Sequence, residues 1–198
     1  MRKANVIDRA AVRLAEFIKA NNPQSASVEV LTYSSIIAIN TILALLISLI
    51  ACIITGNTTN FFIVVAIFTL LRFLTGGVHL TSSLTCCIAT IVCFLAIIHL
   101  KFDFLYLGLV LNAFSLYIFI LRAPSGIDEI REVKPAYKLA IKIAASLFVL
   151  SNFFIQSSLL ASVFFVQALS LTTTCAKLIK KFEGGLFNES ENDFGSRS

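Results

Sequence analysis

Long stretches without a single Asp, Glu, Lys or Arg constrain this chain more than any other feature. The first covers residues 30–71, and three more follow at 73–100, 104–121 and 143–176. Of the 198 residues, 58% are hydrophobic and 14% are charged, whereas soluble domains carry about 25% charged residues. A membrane-spanning helix needs roughly 20 apolar residues, so the tracts predict an all-α, polytopic helical membrane protein with about six membrane segments.

Turn-forming and charged residues divide these tracts into separate segments. We expect spans at approximately 31–55, 60–74, 82–99, 103–121, 138–155 and 157–176. The second and third are short, and the glycines between them could make them re-entrant segments or half helices. The region 138–176, which contains the last two, is short for two full spans.

The segment that precedes the first tract has the pattern of an amphipathic helix at residues 5–19. Its apolar face consists of residues at helical spacing: Val6, Ile7, Ala10, Ala11, Leu14, Phe17 and Ile18. Such a helix, with a basic opposite face, suits the surface of an anionic membrane or packing against the rest of the protein. We therefore expect an amphipathic N-terminal segment at 1–29, a helical membrane domain at 30–183 that holds the functional site, and a mobile tail at 184–198.

Basic residues are distributed asymmetrically between the predicted spans. Those outside the spans lie in the N-terminal segment, at Arg72, in the loop 122–138 and after residue 176, whereas the intervening connections hold only Lys101. With six crossings, all the basic segments fall on one side, which the positive-inside rule identifies as the cytoplasm. This predicts that both termini and the segment around Arg72 lie on the cytoplasmic side of a bacterial cell membrane. No nucleic-acid partner is expected.

A glycine pair separates two side chains that can do chemistry together. Gly76 and Gly77 are followed by His79 and, seven residues later, by Cys86. On one straight helix, this His and Cys would lie about 10.5 Å apart along the axis, too far for a hydrogen bond. The glycines favour a break instead, with His79 in a loop and Cys86 in the first turns of a new helix capped by Thr or Ser at 81–83. A helix N-terminus stabilises a nearby thiolate, so an activated nucleophile is possible there.

Two other interpretations of this pattern remain open. In the first, His79 is a polar residue at the membrane boundary and Cys86 is an apolar core residue. In the second, a metal is held by His79, Cys86, Cys87, Cys93 and His99. These spacings are not those of a tetrahedral zinc site, so we expect no metal and no other cofactor.

The combination of Arg72, Gly76-Gly77, His79 and Cys86 resembles the signature of the accessory gene regulator B (AgrB) peptidases of Gram-positive quorum sensing. The resemblance covers nearly the whole chain. It includes the length, the basic amphipathic N-terminus, the hydropathy profile, Ala123-Pro124 and Lys134-Pro135. The loop 122–138 departs from the family, because acidic residues interrupt its basic run, so no strong basic patch is carried over.

The resemblance implies a membrane cysteine endopeptidase that acts on a small AgrD-like propeptide. In that family pattern, Cys86 is the nucleophile and His79 is the general base and acid. Supporting or substrate-binding roles would fall to Arg72, Gly76, Gly77 and Lys134. The implied chemistry is cleavage through an acyl thioester, followed by cyclisation to a thiolactone or lactone autoinducing peptide. The implied partners are the propeptide, the lipid bilayer and a second copy of the chain in a homodimer. The alternatives are a non-catalytic small membrane transporter and a subunit that only holds a peptide.

Overall fold

The computed structural model of the chain describes residues 5–77, 83–124 and 135–172. Over these ranges the chain forms seven α-helices and no β-strand, which confirms the all-α prediction. They are α1 (Val6–Asn21), α2 (Val28–Ile54), α3 (Thr58–Thr75), α4 (Ser83–His99), α5 (Leu109–Arg122), α6 (Pro135–Ile155) and α7 (Ser158–Ser170). A π-helical turn, Phe104–Gly108, leads directly into α5.

Four helical segments in the described ranges are long and apolar enough to cross a membrane. They are Val28–Ile54, Thr58–Thr75, Phe104–Arg122 and Ala136–Ile155. The apolar helices α4 and α7 are shorter, with 17 and 13 residues. The prediction of a polytopic helical membrane protein is confirmed, and its six expected segments correspond to four helices of spanning length and two shorter ones.

Local sequence explains several helix boundaries. The helix α2 begins three residues before the predicted position because the Ser27 hydroxyl accepts a hydrogen bond from the backbone N–H of Val30 at 3.4 Å. The helix α3 follows closely after Gly56, which has a φ of 69°, a conformation that favours glycine at a helix end. The helix α6 begins at Pro135, because proline is well tolerated at the first helical position. The predicted tail at 184–198 lies outside the described residues.

By their internal contacts, the residues fall into two compact units. One comprises Met1–Gly56 and Leu80–Leu95, and the other comprises Asn57–His79 and Ala96–Ser198. The domain boundaries predicted at residues 29 and 183 stay predictions.

In the first unit, α1 packs against α2 through a narrow stripe. Ile7, Ala11 and Ala15 are buried at four-residue spacing, and the two alanines allow a close approach of the helices. The predicted apolar face is therefore divided, because Val6 and Phe17 remain 69% and 66% exposed. Packing against the rest of the protein accounts for the buried stripe, and the exposed part keeps the character of a membrane-surface helix.

The buried face of α2 consists of small and polar residues. They are Ser35, Asn40, Ala44, Ser48 and Cys52. The large apolar side chains of this helix lie mostly on its exposed faces, where lipid is the natural neighbour. Small residues at helix contacts are typical of membrane proteins, in which close backbone approach and dispersion replace the hydrophobic driving force.

In the second unit, α7 packs against α3, α5 and α6. Its side chains are buried on nearly all sides, including Val163, Phe164 and Gln167. The ring of Phe164 lies 5.7 Å from that of Phe148 on α6, and the ring of Phe165 lies 5.8 Å from that of Phe114 on α5. A short helix buried all round is the central element of its unit.

Two buried asparagines connect α5, α6 and the start of α7. The Asn152 side-chain nitrogen donates to Asn112 Oδ1 and to the Ser157 carbonyl, both at 3.1 Å. The Asn152 oxygen accepts from the Ser157 backbone N–H at 3.0 Å, and the Asn112 nitrogen donates to the Val149 carbonyl at 3.3 Å. Buried amides need such partners in an apolar surrounding, so this pair fixes the turn between α6 and α7.

Candidate active site

The residues predicted to form the site are only partly within the described ranges. His79 and Lys134 lie outside them, so the pairing of His79 with Cys86 stays a prediction. Cys86 belongs to the first compact unit, and Arg72, Gly76 and Gly77 belong to the second. The structure brings together the last three.

Cys86 is the fourth residue of α4, which begins at Ser83. Its position confirms the expectation that the thiol lies in the first turn of a helix after the glycine break. The side chain is half-buried and forms no disulfide. The Thr90 hydroxyl donates to the Cys86 carbonyl at 2.9 Å, an ordinary bond to the preceding turn. The thiol is therefore close to the positive end of the α4 dipole and is partly open to its surroundings.

The neighbouring Cys87 has a different environment. It is 5% exposed and forms a buried cluster with Ile7 of α1 and Ala44 of α2. Because successive helical residues are about 100° apart around the axis, burial of Cys87 leaves Cys86 on a different face. Of the two adjacent thiols, Cys86 is thus the one that a peptide could reach.

The N-terminus of α4 is bonded to the start of α1. The Ser83 hydroxyl donates to Asp8 Oδ1 at 2.6 Å and accepts from the Asn5 side-chain nitrogen at 3.0 Å. Ser83 is buried, at 7% exposure. One turn separates Ser83 from Cys86, so these bonds hold the part of α4 that carries the thiol.

The glycine pair ends α3 as predicted. The Gly76 backbone N–H donates to the Arg72 carbonyl at 2.9 Å, and Gly76 and Gly77 have φ values of 73° and 137°. Residues other than glycine rarely adopt such φ values. The chain therefore leaves the helix at this point, two residues before His79.

The side chains around Gly77 explain why no larger residue fits there. A Cβ placed on Gly77 would lie 2.8 Å from Arg72 Nη1 and 2.8 Å from Ser170 Oγ. The Arg72 guanidinium and the Ser170 hydroxyl at the end of α7 therefore lie against the backbone of Gly77. Arg72 thus lies against the second glycine of the pair that ends α3.

Gln167 of α7 holds the same helix end from inside the unit. Its side-chain nitrogen donates to the Gly76 carbonyl at 2.8 Å and to Thr75 Oγ1 at 2.9 Å, while Thr75 Oγ1 donates to the Leu71 carbonyl at 2.8 Å. Gln167 and Thr75 are both fully buried. Sequence reasoning missed Gln167, although an amide inside an uncharged apolar tract is a signal of a specific role.

Sequence reasoning also missed the side chains that bond Ser83. The pattern Asn5-x-x-Asp8 is a recognisable capping pair at the start of a helix. Nothing in it indicates that the same side chains reach α4. The contact joins residues 78 positions apart, which local patterns do not report.

An open surface pocket of about 370 Å³ lies where α5 ends and α6 begins, and two of its lining residues, Leu121 and Leu139, are 55% and 58% exposed. Three basic side chains line it, from Arg122, Lys138 and Lys142, together with the apolar Leu121 and Leu139. The sequence placed Arg122 and Lys138 in one loop, and the acidic residues of that loop argued against a strong basic patch. The arrangement suits an anionic group next to apolar surface. Among the described residues, no three His, Cys, Asp or Glu side chains are arranged to hold a metal.

Comparison with known proteins agrees with the resemblance in the sequence. The family model described as "Accessory gene regulator B" matches residues 11–185. An AgrB-like protein of Halalkalibacterium halodurans is 34% identical over 93 residues, which cover 46% of this chain and 47% of that protein. The chain thus spans about half the length of this relative. No solved structure matches the chain. Since the family model covers most of its length, the chain belongs to the AgrB family.

Proposed function

We propose that this chain is a membrane cysteine endopeptidase that cleaves an AgrD-like propeptide and promotes its cyclisation to a thiolactone or lactone. Membership of the AgrB family links the chain to the processing of agr quorum-sensing peptides. The observation that carries the proposal is the contrast between adjacent thiols: Cys87 is packed at 5% exposure, whereas Cys86 is half-buried in the first turn of α4.

The first step is cleavage of the propeptide. The His79 imidazole takes the proton from the Cys86 thiol, and the thiolate attacks the scissile carbonyl carbon. The C–N bond then breaks, and the imidazolium gives its proton to the leaving amine. This leaves the N-terminal part of the peptide on Cys86 as an acyl thioester. Cys86 enters this step from the first turn of α4, where its side chain is half-buried.

The second step is transfer of the acyl group within the bound peptide. A thiol or hydroxyl of the peptide loses its proton to His79 and attacks the thioester carbonyl, and the Cys86 thiolate is released. A thiol nucleophile gives a thiolactone and a hydroxyl gives a lactone. Thioester exchange keeps an activated bond, so the reaction depends on holding the peptide nucleophile close and keeping water away. A site at a membrane boundary supports both conditions.

The other predicted residues have supporting roles in this proposal. Arg72, Gly76 and Gly77 shape the segment that leads to His79, and Lys134 contacts the peptide. The open pocket lined by Arg122, Lys138 and Lys142 suits the acidic part of a propeptide. The placement of basic residues supports a cytoplasmic site and cytoplasmic termini. A homodimer in the lipid bilayer is part of the same proposal.

Co-expression with an AgrD-like propeptide in bacteria tests the proposal. We expect wild-type protein to form a covalent peptide adduct and to release a cyclic product. Cys86→Ala should abolish both, and His79→Ala should slow processing by about 10²-fold or more, since it removes the general base. Cys93→Ala is the matched control, because this half-buried thiol lies two turns along the same face of α4 and should leave processing intact.

The alternatives predict a different outcome. A non-catalytic transporter, or a subunit that holds the peptide for another protease, would form no adduct at Cys86. It would also keep its activity in the Cys86→Ala and His79→Ala variants. Undiminished processing by Cys86→Ala would therefore overturn the endopeptidase proposal and favour one of these alternatives.

A further inference from the structure

The first turn of α1 contacts the helix that carries Cys86. Asn5 caps α1 by accepting from the Asp8 backbone N–H at 3.1 Å, and Asp8 Oδ2 accepts from the Asn5 backbone N–H at 3.2 Å. This reciprocal pair uses one carboxylate oxygen. The other, Oδ1, accepts from the Ser83 hydroxyl at 2.6 Å. Asp8 therefore caps its own helix and binds α4 at the same time.

An apolar contact lies beside these hydrogen bonds. Ile7 is adjacent to Asp8 in α1, and Cys87 lies one turn after Ser83 on the same face of α4. Ile7 and Cys87 belong to one buried cluster with Ala44 of α2, at 6%, 5% and 2% exposure. One face of α4 is thus held by α1 through a polar and an apolar contact.

This geometry also determines the environment of Cys86. The face of α4 that carries Ser83 and Cys87 is covered, and Cys86 lies about 100° around the helix from Cys87. Helix ends fray unless their first turn is tied down. The bonds of Ser83 tie that turn, and Cys86 is part of it.

We propose that Asn5 and Asp8 are positioning residues that hold the first turn of α4 and so orient the Cys86 thiol for attack. The proposal rests on the proposed function of Cys86 as the nucleophile. In this proposal α1 positions the first turn of α4 in addition to contacting the membrane surface. Because orientation of a nucleophile affects the chemical step more than peptide affinity, loss of this contact lowers kcat and leaves KM nearly unchanged.

Ser83→Ala is the most selective test, because it removes the hydroxyl between the helices and leaves the Asn5–Asp8 cap intact. We expect kcat for propeptide cleavage to fall about tenfold, from the loss of hydrogen bonds that include a charged partner, with KM changed by less than about twofold. Asp8→Ala should have the same effect or a larger one, since it also removes the bond from the Asn5 backbone N–H to the carboxylate. Asp8→Asn should restore most of the activity, because its amide can replace both bonds if the Ser83 hydroxyl turns to Asn5 Oδ1, which lies 3.2 Å away. Glu16→Ala is the matched control: it removes an exposed carboxylate from the same helix and should change nothing.

A second measurement does not depend on peptide processing. In full-length protein in membranes, modification of each cysteine by a maleimide is followed by mass spectrometry, with Cys93 as the internal reference. Loss of the contact should uncover Cys87, so that its labelling relative to Cys93 rises about fivefold or more in Ser83→Ala and Asp8→Ala. Absence of cleavage by the wild type would overturn the proposed function, and the labelling would still decide whether α1 holds α4. Unchanged kcat and unchanged Cys87 labelling in both variants would overturn the positioning role.

Discussion

The side-chain nitrogen of Gln167 donates a 2.8 Å hydrogen bond to the backbone carbonyl of Gly76. The donor is fully buried in α7, and the acceptor belongs to the glycine pair that ends α3. The second hydrogen of the same amide goes to Thr75 Oγ1 at 2.9 Å. The exit of the chain toward His79 is therefore held by the central helix of its unit and does not depend on the glycines alone.

Replacement of this amide should destabilise the protein and slow processing. Gln167→Met keeps the length of the side chain and removes both hydrogen bonds, at a cost of about 1–2 kcal/mol. Gln167 Oε1 has no hydrogen-bond partner among the described residues, and burial of an unpaired oxygen is unfavourable. The substitution also removes this oxygen, which lowers the net loss of stability. Unfolding by SDS titration in mixed micelles measures the change. The same substitution at the exposed Gln156 is the control, and equal stability of the two variants would contradict a role for the Gln167 bonds.

Local sequence was sufficient to predict the break between α3 and α4. Two adjacent glycines are costly in a helix interior, and Thr or Ser at 81–83 favours a helix start. The same reasoning placed Cys86 in the first turn of α4, where it is found. The long uncharged tracts were equally informative about the fold class, because a helix satisfies its backbone hydrogen bonds within one apolar segment and can therefore cross a membrane.

The contacts that position these elements could not be predicted in the same way. Gln167 and Gly76 are 91 residues apart, and Asn5 and Ser83 are 78 residues apart. Periodicity reports which face of a helix is apolar, and it does not report which partner that face meets. It also treated the apolar face of α1 as one surface. Of that face only Ile7 and Ala11 are buried, and the third buried residue of α1, Ala15, was not assigned to it.

The two buried asparagines of the second unit, Asn152 and Asn112, should contribute unequally to the stability of the protein. Asn152 bonds to Asn112 and also to both backbone groups of Ser157. Asn152→Leu loses all of these and should cost about 2–3 kcal/mol, whereas Asn112→Leu leaves the bonds to Ser157 and should cost about 0.5–1.5 kcal/mol. SDS titration of both single variants and the double variant measures the coupling between them. A larger loss in Asn112→Leu than in Asn152→Leu would contradict this assignment.

Removal of the Ser48 hydroxyl should not destabilise the protein, in contrast to removal of a hydrogen-bonded serine hydroxyl. Its side chain is fully buried on the packed face of α2, and its Oγ has no hydrogen-bond partner in the described part of the chain. Removal of an unsatisfied hydroxyl is neutral or favourable, so Ser48→Ala should change the free energy of unfolding by about 0 to +1 kcal/mol of added stability. The equally buried Ser115 donates to the Leu111 carbonyl at 2.6 Å, and Ser115→Ala should be neutral or destabilising in the same SDS titration. A clear loss of stability in Ser48→Ala would show that its hydroxyl has a partner.

Gly77 and Gly56 offer a matched pair of tests for the segment before His79. Both have positive φ values, 137° and 69°. A Cβ on Gly56 would meet no atom within 4 Å, whereas one on Gly77 would lie 2.8 Å from both Arg72 Nη1 and Ser170 Oγ. Gly56→Ala should cost only the backbone strain, about 1 kcal/mol. Gly77→Ala should cost about 2–4 kcal/mol, because strain combines with displacement of two side chains. Its cleavage of the propeptide should fall more than its stability explains, since the displaced segment leads to the proposed general base. Equal stability and equal cleavage of the two variants would show that the contacts of Arg72 and Ser170 with Gly77 do not constrain this segment.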